Sequence, residues 1–447
     1  MRSTLVKTLS KISGRGWTDC YKKISEIHTA DQLIDFREEC LEKLLLHASE
    51  NVPYYSQIFK KIQVVNNGKL DCARFQQIPY LKKEILKHRV EDLKSKDLGR
   101  RKWYWNASGG STGEPTKFIQ DAEYGAWAGA TWKYFHEKLL GIDEEKAKKV
   151  AIWGSERDLF YGSIGTKAKL VNWLTNTVFL NSFRMTEQDM ERYIGIINRH
   201  NPELVRGYAG ALYEICRFAS KKGIKISTPK RVVSQAETLT DEMRRTIEDT
   251  LGTKVFNFYG SREASSLAGE CIEGKMHIFC FNNELEVADE GGIVKKEGEE
   301  GKVIITTLHN YSMPLIRYDV GDMAVVGPVH CKCGNLLPTL NKVSGRIIEH
   351  FLLKNGTVVP GEYFIHLIGV VLNKSDINKF QVIQEDYERV KINIVSREQL
   401  NQSNMKEIED KIRLVMGNSC EISWNCVEDI DKTKSGKYIY TKSLVWR

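Results

Sequence analysis

The chain has 447 residues, room for two to four domains at about 100–200 residues each. Charged residues make up 28% and apolar residues 41%, which excludes wholesale disorder, a collagen-like repeat and a polytopic membrane protein. Lys and Arg number 66 against 58 Asp and Glu, a net charge of +8, and so diffuse a surplus is expected on solvated surface rather than at nucleic acid.

Residues 1–17 are basic but hold no apolar run of signal-peptide length, and no stretch reaches the roughly 18 apolar residues that span a bilayer. The ten cysteines are therefore read as mostly small buried thiols of a cytoplasmic protein rather than a disulfide framework. Leu33, Cys40, Leu41, Leu44 and Leu45 recur at helical spacing and predict an amphipathic helix over 31–50, ended by Asn51-Val52-Pro53. A second helix is expected over 241–251, with Thr238 and Asp241 near its start and Gly252 just past its end. Residues 254–259 read as a buried strand, and 303–307 and 323–326 as further short ones. This alternation predicts an α/β domain over the first 340 residues or so. After about residue 349, Val390, Ile392 and Ile394 alternate with polar residues, then Met405, Ile408, Ile412 and Val415 take helical spacing. That pattern predicts a small α+β module of roughly 100 residues.

Five motifs carry possible chemistry. Ser108-Gly109-Gly110-Ser111-Thr112-Gly113-Glu114-Pro115-Thr116 packs three glycines and several hydroxyls into one turn. Backbone N–H groups and hydroxyls can converge there on an anion, although no Gly-Lys-Ser/Thr follows to make a Walker loop and a plain surface turn is the alternative. Tyr259-Gly260-Ser261-Arg262-Glu263 follows the predicted strand. Its ring could stack on a purine, Arg262 could meet a phosphate, and Glu263 could hold Mg²⁺; a half-buried core ring and a solvated charge are the plainer alternatives. Tyr318-Asp319-Val320-Gly321-Asp322 offers a carboxylate for a ribose diol or simply a turn aspartate. Ser344-Gly345-Arg346 reads as a linker, and Lys434-Ser435-Gly436-Lys437 as a basic tail. Separately, Cys331-x-Cys333 and the pair Cys271 and His277 supply four soft or borderline ligands, which suit a closed tetrahedral Zn²⁺. Cys280 and His330 are the substitute ligands, and reduced core thiols beside a surface histidine are the alternative.

In this order the five motifs resemble the phenylacetate–coenzyme A ligase family of the adenylate-forming ligases. Supporting features are His47-Ala48, Val52-Pro53-Tyr54-Tyr55, Gly113-Glu114-Pro115-Thr116, Gly207-Tyr208 with Leu212, and Ser234-Gln235-Ala236-Glu237-Thr238-Leu239. Trp153-Gly154-Ser155-Glu156-Arg157-Asp158 looks more like the capsular-polysaccharide branch of that family. The resemblance implies a large α/β adenylation domain over 1–346 and a small mobile C-terminal α+β lid over 347–447. It implies ATP-dependent adenylation of a small carboxylic acid, then acyl transfer to coenzyme A or an amine, with ATP, Mg²⁺ and structural Zn²⁺ as cofactors. Lys437 would be catalytic, bridging carboxylate and α-phosphate. Ser108, Gly109, Gly110, Ser111, Thr112 and Gly113 would hold phosphates, Ala236 and Glu237 would line the adenine pocket through their backbone, and Tyr259 would stack on adenine, with Gly260 in the same nucleotide-binding motif. Arg262 would lie at the phosphate, Asp322 at the ribose with Arg346 near it, and Glu263 on Mg²⁺. Similar Cys/His positions in the family strengthen the zinc expectation, and neither nucleic acid nor a membrane span is expected.

Two residues depart from the family pattern. Arg262 stands where many relatives carry Ser or Thr, and Ile347 and Ile348 precede Glu349 where an acidic hinge residue is usual. The rival readings are a zinc-containing nucleic-acid-binding protein and a degenerate ligase that binds ATP without turnover.

Overall fold

A computed structural model describes residues 16–66, 69–108, 116–154, 166–344, 347–371, 377–396, 402–430 and 439–445. Its secondary structure mixes α and β in a fold of the class expected. The chain gathers into two compact units. The first takes the residues up to Ala107 together with Thr116–Glu144 and Phe256–Ser344; the second takes Ser108–Pro115, Glu145–Val255 and the chain from Gly345 onward.

In the first unit the helix expected over 31–50 spans Ala30–Asn51. Thr29 and Gln32 form a reciprocal capping box at its start, worth about 1 kcal/mol. Leu33, Cys40, Leu44 and Leu45 are buried as the spacing required, while Leu41 at the edge of that face is half-buried. Val52 takes an extended conformation, and Pro53 then opens a second helix, Pro53–Ile62, at the position where its missing N–H costs nothing. Seven strands follow one another across the sheet of this unit: Asn283–Ala288, Glu300–Thr307, Tyr318–Val326, Thr339–Ser344, Met276–Ile278, Ser265–Glu270 and Val255–Ser261. Neighbours pair antiparallel throughout. The strands expected at 303–307 and 323–326 are the apolar ends of longer ones, because ladder pairing carries them on through Glu300 and Asp322.

Four parallel strands order the second unit: Arg231–Gln235, Leu204–Tyr208, Lys149–Trp153 and Thr177–Asn181. Three of them are buried over most of their length, as parallel strands covered on both faces are. Helices Glu187–His200, Ala209–Lys222 and Asp241–Leu251 connect or follow them. The cap of the last is Thr240, whose hydroxyl accepts the Met243 N–H at 3.2 Å, rather than Thr238. Gly252 ends it at φ +65°, as the sequence indicated.

The same unit holds a five-stranded sheet in the order Ile347–Ile348, Ile439–Ser443, Ile377–Asp386, Arg389–Ser396 and Glu421–Cys426. Helices Gly361–Val371 and Gln402–Met416 accompany it. Val390, Ile392, Ile394, Ile408, Ile412 and Val415 are buried. They belong to a core that also takes in Val150, Ile152, Val205 and Leu212. Met185 and Val358 exchange backbone hydrogen bonds of 3.1 and 3.0 Å, so the C-terminal region joins the parallel-strand region by ladder as well as by packing. No disulfide joins the described cysteines. No helix among the described residues is long and apolar enough to cross a membrane.

Candidate functional site

In the first unit two of the separately read motifs meet. Tyr259, near the end of Val255–Ser261, donates its hydroxyl to Asp322 Oδ2 at 2.8 Å. Asp322 stands inside Tyr318–Val326 rather than before it, next to Gly321 at φ +87°. The strand is anchored at its start by Arg317. That guanidinium is buried, lies 3.0 Å from each carboxylate oxygen of Glu286, and also donates to the Ile78 carbonyl at 2.9 Å. Burial raises the Glu286 carboxyl, and Arg317 pulls it back toward the ionised form. A buried charge is tolerable only with such pairing.

The turn after Tyr259 is tight. A Cβ on Gly260 would fall 2.2 Å from the Ser265 carbonyl oxygen, so only glycine fits. Arg262 is exposed and donates to the Ala107 carbonyl at 3.1 Å, while Glu263 is buried. Among the described residues no cationic side chain pairs with Glu263. Gln120 fastens this turn: its Nε2 donates to the Arg262 carbonyl at 2.8 Å and the Glu263 carbonyl at 3.3 Å. Its Oε1 accepts from Tyr104 at 3.2 Å and Asn106 at 2.9 Å. Sequence reading missed Gln120, since nothing local marks a glutamine whose partners lie 142 and 143 residues away.

The cysteine and histidine ligands named from the sequence also converge. Ligand atoms of Cys271, His277, Cys331 and Cys333 all lie within 4.8 Å of one another. Cys271 Sγ is 3.7 Å from Cys331 Sγ, and Cys333 Sγ is 3.2 Å from His277 Nε2. A tetrahedron with Zn–S bonds of about 2.3 Å has sulfur–sulfur edges of about 3.8 Å, so the donor set fits that ion. His277 Nδ1 donates to the Leu337 carbonyl at 2.9 Å, which leaves the Nε2 lone pair for the ligand side. Burial lowers the His277 imidazole and pushes the Cys333 thiol up to about 12. Two turns present the ligands, one closed by Gly274 N–H to the Cys271 carbonyl and one by Gly334 N–H to the Cys331 carbonyl. Both glycines take positive φ. The substitutes fall outside the group: Cys280 is fully buried beside the charges of Arg37 and Glu284, and His330 is not among the converging residues.

In the second unit the carboxyl ends of the parallel strands carry Trp153, Asn181, Tyr208 and Gln235. This is the edge at which open parallel sheets bind ligands. Trp153 stacks on Tyr208 with ring centroids 4.3 Å apart. Gly207 allows close strand approach, since a Cβ there would meet the Ile152 carbonyl oxygen at 2.7 Å. Ala236 and Glu237 follow Gln235 directly. Ala236 is exposed, whereas the Glu237 side chain is turned inward and is only 5% exposed. Its Oε2 accepts the Gly210 N–H at 2.7 Å, and burial pushes its carboxyl up to about 7. Glu214 is buried nearby in sequence on helix Ala209–Lys222 and is raised by burial against the pull of Arg217. Ser108 closes the strand Trp103–Ser108. Gly109, Gly110, Ser111, Thr112, Gly113, Arg346 and Lys437 lie outside the described residues.

A family profile described as the CapK C-terminal domain matches residues 351–443. Protein CapK of Staphylococcus aureus is 24% identical over 425 residues, which cover 93% of this chain and 90% of that one. The phenylacetate-coenzyme A ligase of Thermus thermophilus is 26% identical over 78% of each chain. The chain resembles the phenylacetate–coenzyme A ligase family. Among solved structures, a 2-hydroxyisobutyryl-CoA ligase in complex with 2-HIB-AMP and CoA superposes with a TM-score of 0.60. It is 16% identical, over 94% of this chain and 91% of that one, and the fold is that of the adenylate-forming ligases. The family resemblance read from the motifs is thus met along nearly the whole chain.

Proposed function

We propose that the protein adenylates a carboxylic acid with ATP, releasing pyrophosphate, and then transfers the acyl group to coenzyme A or an amine. The observation that carries this reading is the Tyr259–Asp322 hydrogen bond of 2.8 Å. It joins two motifs 63 residues apart, which the resemblance assigns to base and ribose of one nucleotide. The relatives named as coenzyme A ligases support a thioester product. Membership of the capsular branch, and with it a role in polysaccharide assembly, rests on the likeness of residues 153–158 and on the CapK relative.

The carboxylate and the triphosphate repel each other, so cationic groups must lie between them as the acid oxygen attacks the α-phosphorus. Lys437 supplies that charge in this reading, and it stabilises the transition state as negative charge moves to the leaving pyrophosphate. Ser108 and residues 109–113 hold the β and γ phosphates through backbone N–H groups and hydroxyls in this reading. Glu263 is the buried carboxylate that would hold Mg²⁺, which when bound would supply positive charge against the phosphate oxygens. Arg262 adds an exposed guanidinium where relatives carry a hydroxyl. Tyr259 flanks adenine and Asp322 the ribose hydroxyls, with Arg346 beside them. Ala236 and Glu237 offer backbone groups to the base. Zn²⁺ on Cys271, His277, Cys331 and Cys333 is structural, because four protein ligands leave no position for substrate. We further propose 1–346 and 347–447 as the two bodies of the reaction cycle, the latter carrying Lys437 in for the first step and away for the second.

Pyrophosphate release tests the reading. Aryl acids, fatty acids, amino acids and sugar acids are screened with Mg·ATP, and hits are repeated with coenzyme A and with amines. Acid-dependent pyrophosphate release is expected for one class. ATP binding with no acid-dependent release from any class would leave a degenerate ligase, and tight DNA binding that collapses with salt would favour the nucleic-acid reading.

A further inference from the structure

The turn that follows Arg231–Gln235 is strained. Ala236 takes φ +67°, and the Glu237 N–H donates to the Gln235 carbonyl at 2.8 Å, closing a three-residue turn. A residue with a Cβ adopts this left-handed backbone only when its surroundings impose it. The imposing group is the Glu237 carboxylate, through its 2.7 Å bond from the Gly210 N–H. Gly210 is the second residue of helix Ala209–Lys222, whose N-cap residue Tyr208 makes no side-chain cap bond. Glu237 therefore supplies from a distance the cap that the local sequence lacks, and its charge suits a helix N-terminus.

A third segment closes over this bond. His350 is buried, 6% exposed, and lies against Gly210 so closely that a Cβ on that glycine would fall 1.4 Å from its Nε2. His350 Nδ1 accepts the Gly361 N–H at 3.3 Å, so the proton of the neutral ring sits on Nε2. That atom is 4.0 Å from the Glu237 oxygen that caps the helix. Among the described residues His350 Nε2 and Glu237 Oε1 have no hydrogen-bond partner. Buried polar groups left open in this way are costly, and a small approach of the ring to the carboxylate would satisfy the first of them.

We propose that His350 is a positioning residue for nucleotide binding: acting through Glu237, it fixes the turn Gln235–Glu237 and ties that turn to the seating of residues 349–361. The inference rests on the adenylation reading, in which the backbone of Ala236 and Glu237 faces adenine. While residues 349–361 are seated, His350 covers Gly210 and the carboxylate stays in place. When they leave, Glu237 gains a path to water and the strained turn can relax. Nucleotide binding and seating of the segment then strengthen each other by the same factor.

The test uses the full-length protein with AMP as the probe. Its variants are His350→Gln, which keeps an N–H donor, His350→Leu, which keeps bulk alone, Gly210→Ala, and Gly210→Ala combined with His350→Ala. AMP affinity is measured by calorimetry, the KM for ATP and kcat by pyrophosphate release, and amide exchange over 350–361 with and without AMP. His350→Leu should weaken AMP binding about fivefold to tenfold and raise the KM for ATP more than it lowers kcat, and His350→Gln should recover most of the loss. Gly210→Ala should act like His350→Leu, because its Cβ expels the ring. Added to His350→Ala, Gly210→Ala should cost less than twofold more. AMP should slow exchange over 350–361 in wild type and in His350→Gln but not in His350→Leu. Equal AMP affinity and equal exchange protection in wild type and His350→Leu would overturn this inference alone, as would Gly210 and His350 effects that simply multiply. Failure of wild type to bind AMP at all would overturn the adenylation reading and this inference with it.

Discussion

The two units differ in the polar groups around their candidate site residues, while both hold buried polar atoms with no partner among the described residues, Asn283 Oδ1 and Ser312 Oγ of the first unit among them. In the first, Arg317 is matched by Glu286, Tyr259 by Asp322, and both ends of the Gln120 amide are used. In the second, Glu214 Oε1, Ser234 Oγ, Glu237 Oε1 and His350 Nε2 are buried with no partner among the described residues. Satisfied groups hold one geometry, whereas groups with open hydrogen-bonding capacity are ready to change partners. In the proposed reaction cycle the first set keeps its site in shape, and the second lies where contacts would be remade.

The largest expected effect falls on the body proposed to move. Lys437→Ala should lower acid-dependent ATP–pyrophosphate exchange by roughly 100-fold to 1,000-fold, the usual loss when a charge-stabilising group is removed from a transition state. Consumption of a presynthesised acyl-adenylate should survive, because the lysine has no part in the second step. Equal damage to both half-reactions would erase the distinction between a fixed and a moving region.

Next comes the cysteine and histidine cluster of the first unit. Cys331→Ser should reduce bound zinc and lower the melting temperature by roughly 5 °C or more, since metal binding is counted in folding free energy. A chelator should reproduce the loss in wild type and add nothing in the variant. Metal-free native protein of unchanged melting temperature would show that the four residues are ordinary thiols and an imidazole.

Much of this was legible in the sequence, and what was not has a common cause. Gly252 acts within one turn of the helix it bounds, so local pattern exposes it, whereas the equally local capping box of Thr29 and Gln32 emerges only with the structure. The four cysteine and histidine ligands were legible because soft side chains in close pairs are rare enough to stand out. Thr240 does not stand out as the cap because Thr238, two residues before it, offers the same local signal. Gln120, Glu237 as a cap, and His350 could not be read at all. Their partners lie across the fold, and glutamine, glutamate and histidine are common surface residues until the chain brings those partners close. The apolar alternation of Val390 to Ile394 told that one face is buried but not that its core would run on to Val205 and Leu212.

A pH experiment sharpens the comparison from the core of the first unit. His309 is stacked on Trp127 with ring centroids 3.8 Å apart, and its Nε2 donates to the Phe281 carbonyl at 2.8 Å. Burial lowers its imidazole to about 3. The folded protein thus keeps the ring neutral while the unfolded chain protonates it below about pH 6.5. Its contribution is complete above that pH and is lost as the pH falls toward 3. Between pH 7.5 and 5.0 wild type should lose about 2 kcal/mol more unfolding free energy than His309→Gln. Urea titrations at the two pH values read this difference, and parallel losses would show that the ring is not held neutral.

The smallest effect is expected at Ala236, where stability and binding should part company. A left-handed backbone costs an L-residue roughly 1–2 kcal/mol, and glycine avoids that cost but loses about 0.5–1 kcal/mol through its freer unfolded chain. Ala236→Gly should therefore stabilise the protein slightly, by about 0.5 kcal/mol, and raise the melting temperature by roughly 1–2 °C. The same substitution lets the turn Gln235–Glu237 sample other shapes, so AMP affinity should fall about twofold to fivefold. A gain in stability with a loss in affinity would mark the strain as serving the site. If both rose together, the strained turn would be an incidental feature of the strand end, and the second unit would owe its open polar groups to something other than nucleotide binding.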